Sequence, residues 1–173
     1  SELKRYFDHS LLEAPDSYYP KEQRYRRYGV LFRDDWNVWR LLSNYSTFQQ
    51  ASTVNSHLGG ITREYQPLTM NLVSHSAYQG LLNTFIDSLG TQSKDIKYIH
   101  CHQIKVCANE ASTQITPEGI HQDGFDVVAI ACVRRIACAG ASNSLRESRQ
   151  ADPFLQEVLL PDDMLIFNDR RFW

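Results

Sequence analysis

The chain has 173 residues, 42% of them apolar and 22% charged, with 18 basic and 20 acidic side chains and a formal net charge of −2. That length supports a single domain with a core of its own, and the near-neutral balance leaves no electrostatic footprint for nucleic acid or an anionic membrane. No run approaches the roughly 18 apolar residues of a spanning helix, and Ser1-Glu2-Leu3-Lys4-Arg5 lacks a signal-peptide core, so a soluble, cytoplasmic protein with a small-molecule ligand is expected.

Residues 1–19 carry no clean period, although Tyr6, Phe7, Leu11 and Leu12 fit a short helix. Residues 20–33 (PKEQRYRRYGVLFR) mix aromatic and β-branched residues and read as a strand, with Gly29 at a bulge or tight bend. The expected place of Arg24, Arg26 and Arg27 is a solvated strand face; the functional alternative is recognition of a carboxylate substrate. Residues 34–50 stay open, because Trp36, Trp39, Leu42, Tyr45 and Phe48 recur every three residues while their aromatic content favours strands. A turn at Gly59-Gly60 precedes a short strand at 61–65, which Pro67 is expected to end.

Residues 76–90 give the clearest helix. Ser76 is placed as N-cap, Tyr78, Leu81, Leu82, Phe85 and Leu89 form one stripe, and Gly90 is the stop. From about residue 96 strands predominate, at 96–106, 126–134, 154–160 and 164–167, with turn-forming stretches between them. The apolar run 127–133 (VVAIACV) reads as a central strand covered on both faces. The fold class expected is mainly β with flanking helices (α+β), an antiparallel sandwich or barrel. Cys101, Cys107, Cys132 and Cys138 read as core hydrophobes in a reducing cytosol; their spacing is wider than that of structural zinc pairs.

The chemistry concentrates at residues 117–126, PEGIHQDGFD. His121 and Asp123 stand two apart at the lip of the apolar run, and alternate residues leaving a strand share a face, roughly 6.6 Å apart. An imidazole and a carboxylate at that spacing can grip one ion, and with open positions they form part of the ligand set of non-haem iron(II) oxygenases. The alternative is a histidine hydrogen-bonded to its neighbour. His100 and His102 share a strand face with Ile104 and Val106, as core histidines or as pocket lining. His9, His57 and His75 read as surface or loop residues. No nucleophile elbow, phosphate-binding loop or dinucleotide fingerprint is present.

RYRRY at 24–28, LGGITREYQPL at 58–68, HQIKV at 102–106, TPEGIHQDGFDVVAI at 116–130 and LLPDDMLIFNDRRFW at 159–173 together resemble the iron(II)- and 2-oxoglutarate-dependent dioxygenases grouped with bacterial L-isoleucine hydroxylases and biofilm-associated BsmA-like proteins. The resemblance implies a double-stranded β-helix, a jelly-roll, cupin-like barrel flanked by helices. It makes His121 and Asp123 the first two ligands of Fe(II), with 2-oxoglutarate and O2 as co-substrates and hydroxylation of a free amino acid as the activity. Thr116 and His102 approach 2-oxoglutarate or substrate in this reading, and Asp126 and Gln103 are substrate contacts. The family's second histidine and its 2-oxoglutarate-binding arginine follow a segment like 168–173. The expectation is therefore a single dioxygenase-like domain over 1–173, truncated before its last strands, with its homo-oligomeric state open. The loop at Ala139-Gly140-Ala141-Ser142 stands where relatives often carry a double glycine. The alternatives are a non-catalytic ligand-binding or stress- and biofilm-related member of the same fold, or a cupin-like metalloenzyme using His100 or His102.

Overall fold

The computed structural model describes residues 2–8, 10–19, 23–43, 45–55, 57–108, 113, 115, 116 and 118–173. The chain divides into two compact units, Ser1–Phe48 with Arg63–Cys107 and Gln49–Thr62 with Ala108–Trp173. His9, expected at the surface or in a loop, lies outside the described residues.

The first unit runs through α1 (Lys4–Asp8), β1 (Gln23–Arg33), β2 (Trp39–Leu41), β3 (Thr47–Phe48), β4 (Arg63–Glu64), β5 (Gln66–Pro67), α2 (Met70–Val73), α3 (Ser76–Ser88) and β6 (Tyr98–Cys107). Its organiser is β1, which pairs antiparallel with β6 from Gln23↔Cys107 to Phe32↔Tyr98. On its other edge β1 meets β2 antiparallel (Leu31↔Leu41) and β5 parallel (Arg27↔Gln66). Residues opposite one another in an antiparallel ladder share a face. Tyr25, Arg27, Gly29 and Leu31 therefore stand with Lys105, Gln103, Cys101 and Ile99, and Arg24, Arg26, Tyr28 and Val30 with Val106, Ile104, His102 and His100.

The face with Leu31, Ile99 and Cys101 is buried, and α3 buries Tyr78, Leu82, Phe85 and Ile86. The Tyr78 hydroxyl donates to the Cys101 sulfur, tying the helix to this face, and burial pushes that thiol up to about 12. The helix is where its periodicity predicts, but its N-cap is His75 rather than Ser76: His75 Nδ1 accepts the Ala77 N–H at 3.2 Å. An imidazole with a free lone pair does here what a hydroxyl does elsewhere.

Gly29 makes no bulge. It is in register with Cys101, and a Cβ there would lie 2.6 Å from Leu41 Cδ1 and 3.2 Å from Leu68 Cδ1, so glycine allows the leucines to approach the strand. Nor does Pro67 end pairing: it stands opposite Tyr28, and the next residue, Leu68, donates its N–H to the Tyr28 carbonyl at 3.1 Å. The three-residue recurrence over 34–50 is not helical. Asp34 closes a turn by accepting the N–H groups of Trp36 and Val38 at 3.0 and 2.8 Å, which turns Trp39 inward while Trp36 stays 80% exposed.

The second unit contains β7 (Val127–Ala131), β8 (Asn143–Leu145), β9 (Leu155–Glu157) and β10 (Met164–Asn168). β7 pairs antiparallel with β10, from Val127↔Asn168 to Ala131↔Met164, and β8 with β9. The apolar run is thus one side of a two-stranded ladder rather than a covered central strand; β7 is mostly half-buried and Ile130 is 39% exposed. The described residues are mainly β with few helices, as expected, and their strands form one four-stranded sheet and three two-stranded ladders, none closed on itself. Among them no helix is long and apolar enough to cross a membrane. All four cysteines are free, but only Cys101 is buried; Cys107 and Cys132 are half-buried and Cys138 is exposed, so the core reading holds for one thiol.

Candidate metal centre

The residues from His121 to Asp126 form irregular chain ahead of β7, not a strand lip. What orders them is Asp169. The β7–β10 register ends at Val127↔Asn168, so the next residue of each partner meets: Asp169 donates its N–H to the Asp126 carbonyl at 3.2 Å. Its side chain, in a residue only 2% exposed, accepts three consecutive backbone N–H groups, from Asp123 at 2.9 Å, Gly124 at 2.7 Å and Phe125 at 3.0 Å. Successive N–H groups converging on one anion make a nest. Gly124 supplies the left-handed residue this needs, at φ +87°; a Cβ there would make ordinary contact with Val54 at 3.4 Å, so the demand is conformational and not steric.

Within this loop His121 Nδ1 lies 2.8 Å from the Gly119 carbonyl oxygen. A carbonyl only accepts, so Nδ1 carries the proton, and in the neutral imidazole this tautomer leaves the lone pair on Nε2. Nε2 faces Asp123 Oδ1 at 3.8 Å. Gln50 donates its side-chain N–H to the Asp123 carbonyl at 3.0 Å and to Oδ1 at 3.4 Å. The Gln50 amide is itself oriented by the buried Asn55, which donates to Gln50 Oε1 at 3.1 Å and accepts the N–H groups of His57 and Leu58 at 2.9 and 2.8 Å.

The donor set fits a divalent metal. Donors at right angles on one ion, with bonds of about 2.0–2.2 Å, stand ~3 Å apart. His121 Nε2 and Asp123 Oδ1 are 3.8 Å apart, with side chains 21% and 40% exposed, so this imidazole and carboxylate suit one ion in kind and would have to close by ~0.8 Å to share it. The peptide carbonyl behind the imidazole and the amide behind the carboxylate are the outer partners that fix such ligands. Among the described residues no group of three or more His, Cys, Asp or Glu side chains gathers to hold a metal.

The other expected site residues stand as follows. Thr116 is exposed, and its carbonyl accepts the Gly119 N–H at 3.0 Å, closing the turn before His121. Asp126 pairs with Arg170 at 2.7 Å, both side chains largely in solvent. His102 and Gln103 belong to the first unit and point to opposite faces of β6. Gln103 is buried and donates to the Tyr6 carbonyl at 2.8 Å. His102 Nδ1 accepts from Arg26 Nε at 3.1 Å and Nη2 at 2.8 Å, its ring stacks on Tyr28 at 4.6 Å, and burial, with Arg26 and Arg63 nearby, holds its proton affinity well below that of a free imidazole.

The arginines of β1 correct the expectation of a solvated face: Arg24, Arg26 and Arg27 are each 7% exposed. Arg24 pairs with buried Asp16 at 3.2 Å, Arg27 donates to the Pro67 carbonyl at 3.1 Å, and Arg26 lies over the Tyr65 ring at 4.6 Å. Carboxylate, carbonyl and aromatic faces take the place of water. Sequence reasoning missed Asp169, Gln50 and Asn55. Asp169 lay inside a quoted motif, but only the β7–β10 register reveals what it meets; Gln50 and Asn55 carry no local signal.

No curated protein matches this chain in sequence. Among solved structures, it is similar to a BsmA homologue from Methylobium petroleophilum PM1, with a TM-score of 0.75 and 23% identity, over 99% of this chain and 68% of that one. The model of the 2OG-Fe dioxygenases matches residues 10–173, and the chain belongs to that family.

Proposed function

We propose that the protein is an iron(II)- and 2-oxoglutarate-dependent hydroxylase of a small polar substrate, a free amino acid, releasing succinate and CO2, and that it groups with the L-isoleucine hydroxylases and BsmA-like proteins. The observation that supports this is the His121–Asp123 pair at 3.8 Å, with Nδ1 of the imidazole engaged by a backbone carbonyl. In this reading His121 Nε2 and the Asp123 carboxylate hold the iron. In the scheme of this family a second histidine is the third ligand, an arginine holds the distal carboxylate of 2-oxoglutarate, and the strands form a double-stranded β-helix. Bound iron and 2-oxoglutarate supply O2 activation for attack on a C–H bond.

The chain's own residues orient that chemistry. The Gly119 carbonyl keeps the proton on Nδ1, so that Nε2 stays a ligand. Asp169 fixes the loop bearing both ligands, and Gln50 limits rotation of the Asp123 carboxylate. Thr116 is assigned to 2-oxoglutarate or substrate, and Asp126 to substrate. The protein should bind one Fe(II) per chain in equilibrium dialysis and form succinate from 2-oxoglutarate, stimulated by one member of an amino-acid panel. His121→Ala should lose both; wild-type turnover by that variant refutes the assignment.

A further inference from the structure

The Asp123 carboxylate meets a side chain whose direction is decided one residue farther back. Gln50 and Asn55 belong to the segment Gln49–Thr62, which lies in the same unit as Asp123, and they are 7% and 2% exposed. A side-chain amide carries an acceptor oxygen at one end and two N–H donors at the other, on ends of nearly equal size. Shape alone therefore does not say which end of Gln50 faces the carboxylate.

The backbone decides it. Asn55 Oδ1 accepts the N–H groups of His57 at 2.9 Å and Leu58 at 2.8 Å; a backbone N–H only donates, so this end of Asn55 is the oxygen. The other end is then Nδ2, which donates to Gln50 Oε1 at 3.1 Å. Gln50 in turn presents Nε2 to the Asp123 carbonyl at 3.0 Å and to Oδ1 at 3.4 Å. Every link runs in one direction, from peptide N–H to carboxylate, and turning either amide would set oxygen against oxygen in a buried network. The surrounding turn is closed tightly. Gly60 donates its N–H to the Gln50 carbonyl at 2.8 Å and Gly59 to the Asn55 carbonyl at 2.9 Å, and a Cβ on Gly59 would lie 2.1 Å from that same carbonyl oxygen.

We propose that Asn55 is a positioning residue of the metal centre, two side chains removed from the ion, which fixes the polarity of Gln50 so that an N–H and not an oxygen meets Asp123. A carboxylate oxygen has two lone pairs, so Oδ1 can take this N–H on one and keep the other for a cation. The proposal rests on the assignment of His121 and Asp123 as ligands.

The test is titration of the metal-free protein with Co(II), followed by visible absorption, in wild type, Gln50→Met, Asn55→Asp and the double variant. Gln50→Met has no donor for the carboxylate and should bind Co(II) at least ~10-fold more weakly. Asn55→Asp keeps an oxygen for the two peptide N–H groups but offers Gln50 no N–H, so the Gln50 amide should turn, moving its side-chain 15N resonances in the metal-free protein and weakening Co(II) by at least ~10-fold. The sign is diagnostic, because an added anion would by charge alone tighten a cation. In the Gln50→Met background the same change should weaken binding no further, since its effect passes through the amide that is gone. Asn55→Ala, which frees the amide without turning it, should weaken binding by less and serves where Asn55→Asp does not fold, as judged by urea midpoints. Wild-type Co(II) affinity in the single variants, or losses that multiply in the double variant, would overturn the relay and leave the metal assignment standing. No Co(II) binding by wild type refutes that assignment and the relay with it. Relay-dependent Co(II) binding without succinate formation keeps the relay and sinks the proposed function.

Discussion

Asp169→Ala removes the anion on which the loop from Asp123 to Phe125 is built. Its carboxylate accepts three N–H groups at 2.7–3.0 Å, and a hydrogen bond to a charged group is worth about 1.5–3 kcal/mol. The simple sum overstates the loss, because Gly124 is exposed and its neighbours half-buried, so water replaces part of what is removed. A loss of ~3 kcal/mol is therefore expected, read as a lower urea midpoint with an unchanged m-value. The same loop carries both ligands, and disturbing an outer partner of a metal site costs roughly 10–100-fold in affinity. Co(II) titration followed by its visible absorption should show that weakening. Asp169→Asn, similar in volume but with one acceptor and an amide donor facing an N–H, should fall between. A wild-type midpoint together with wild-type Co(II) affinity in Asp169→Ala would refute the role assigned to the nest.

Gly124→Ala keeps the room for its methyl but forces an L-residue to φ +87°, so a loss of about 1–2 kcal/mol is expected and a neutral effect in thermal unfolding would contradict it. His102 is held below its ordinary proton affinity by burial, then by Arg26, His100 and the other nearby arginines, and burial lowers His100 as well. The unfolded chain therefore binds protons that the native one refuses. Stability should be complete above about pH 6.5, the unperturbed value, and decline as pH falls below it. His102→Gln, which retains an acceptor for Arg26, should flatten that slope in urea titrations between pH 5 and 7; an unchanged slope would exclude His102 as its source.

The helix at 76–88 was legible because its stripe and its stop lie within one short window, and the strands of β1 and β6 because aromatic and β-branched residues crowd them. His121 and Asp123 were legible as a pair, with the wrong local scaffold: sequence spacing suggests a strand, while the loop's shape is imposed by a carboxylate 46 residues from Asp123. Arg24, Arg26 and Arg27 misled for the opposite reason. Charge in a strand ordinarily means solvent, and only the arrival of Asp16, His102, Tyr65 and Pro67 from elsewhere in the chain makes burial tolerable. Pairing partners far apart in sequence decide both cases, and no local pattern encodes them.

The four free thiols form a graded set of chemical reporters. Cys138 is exposed, whereas Cys101 lies under α3 and takes the Tyr78 hydroxyl proton into a hydrogen bond, with its own ionisation pushed up to about 12. A thiolate is the species that alkylating agents attack, so the folded protein withholds Cys101 both sterically and chemically. Its labelling waits on separation of α3 from β6, and in the limit of rapid reclosing the labelling rate becomes a clock for the opening free energy of that part of the first unit.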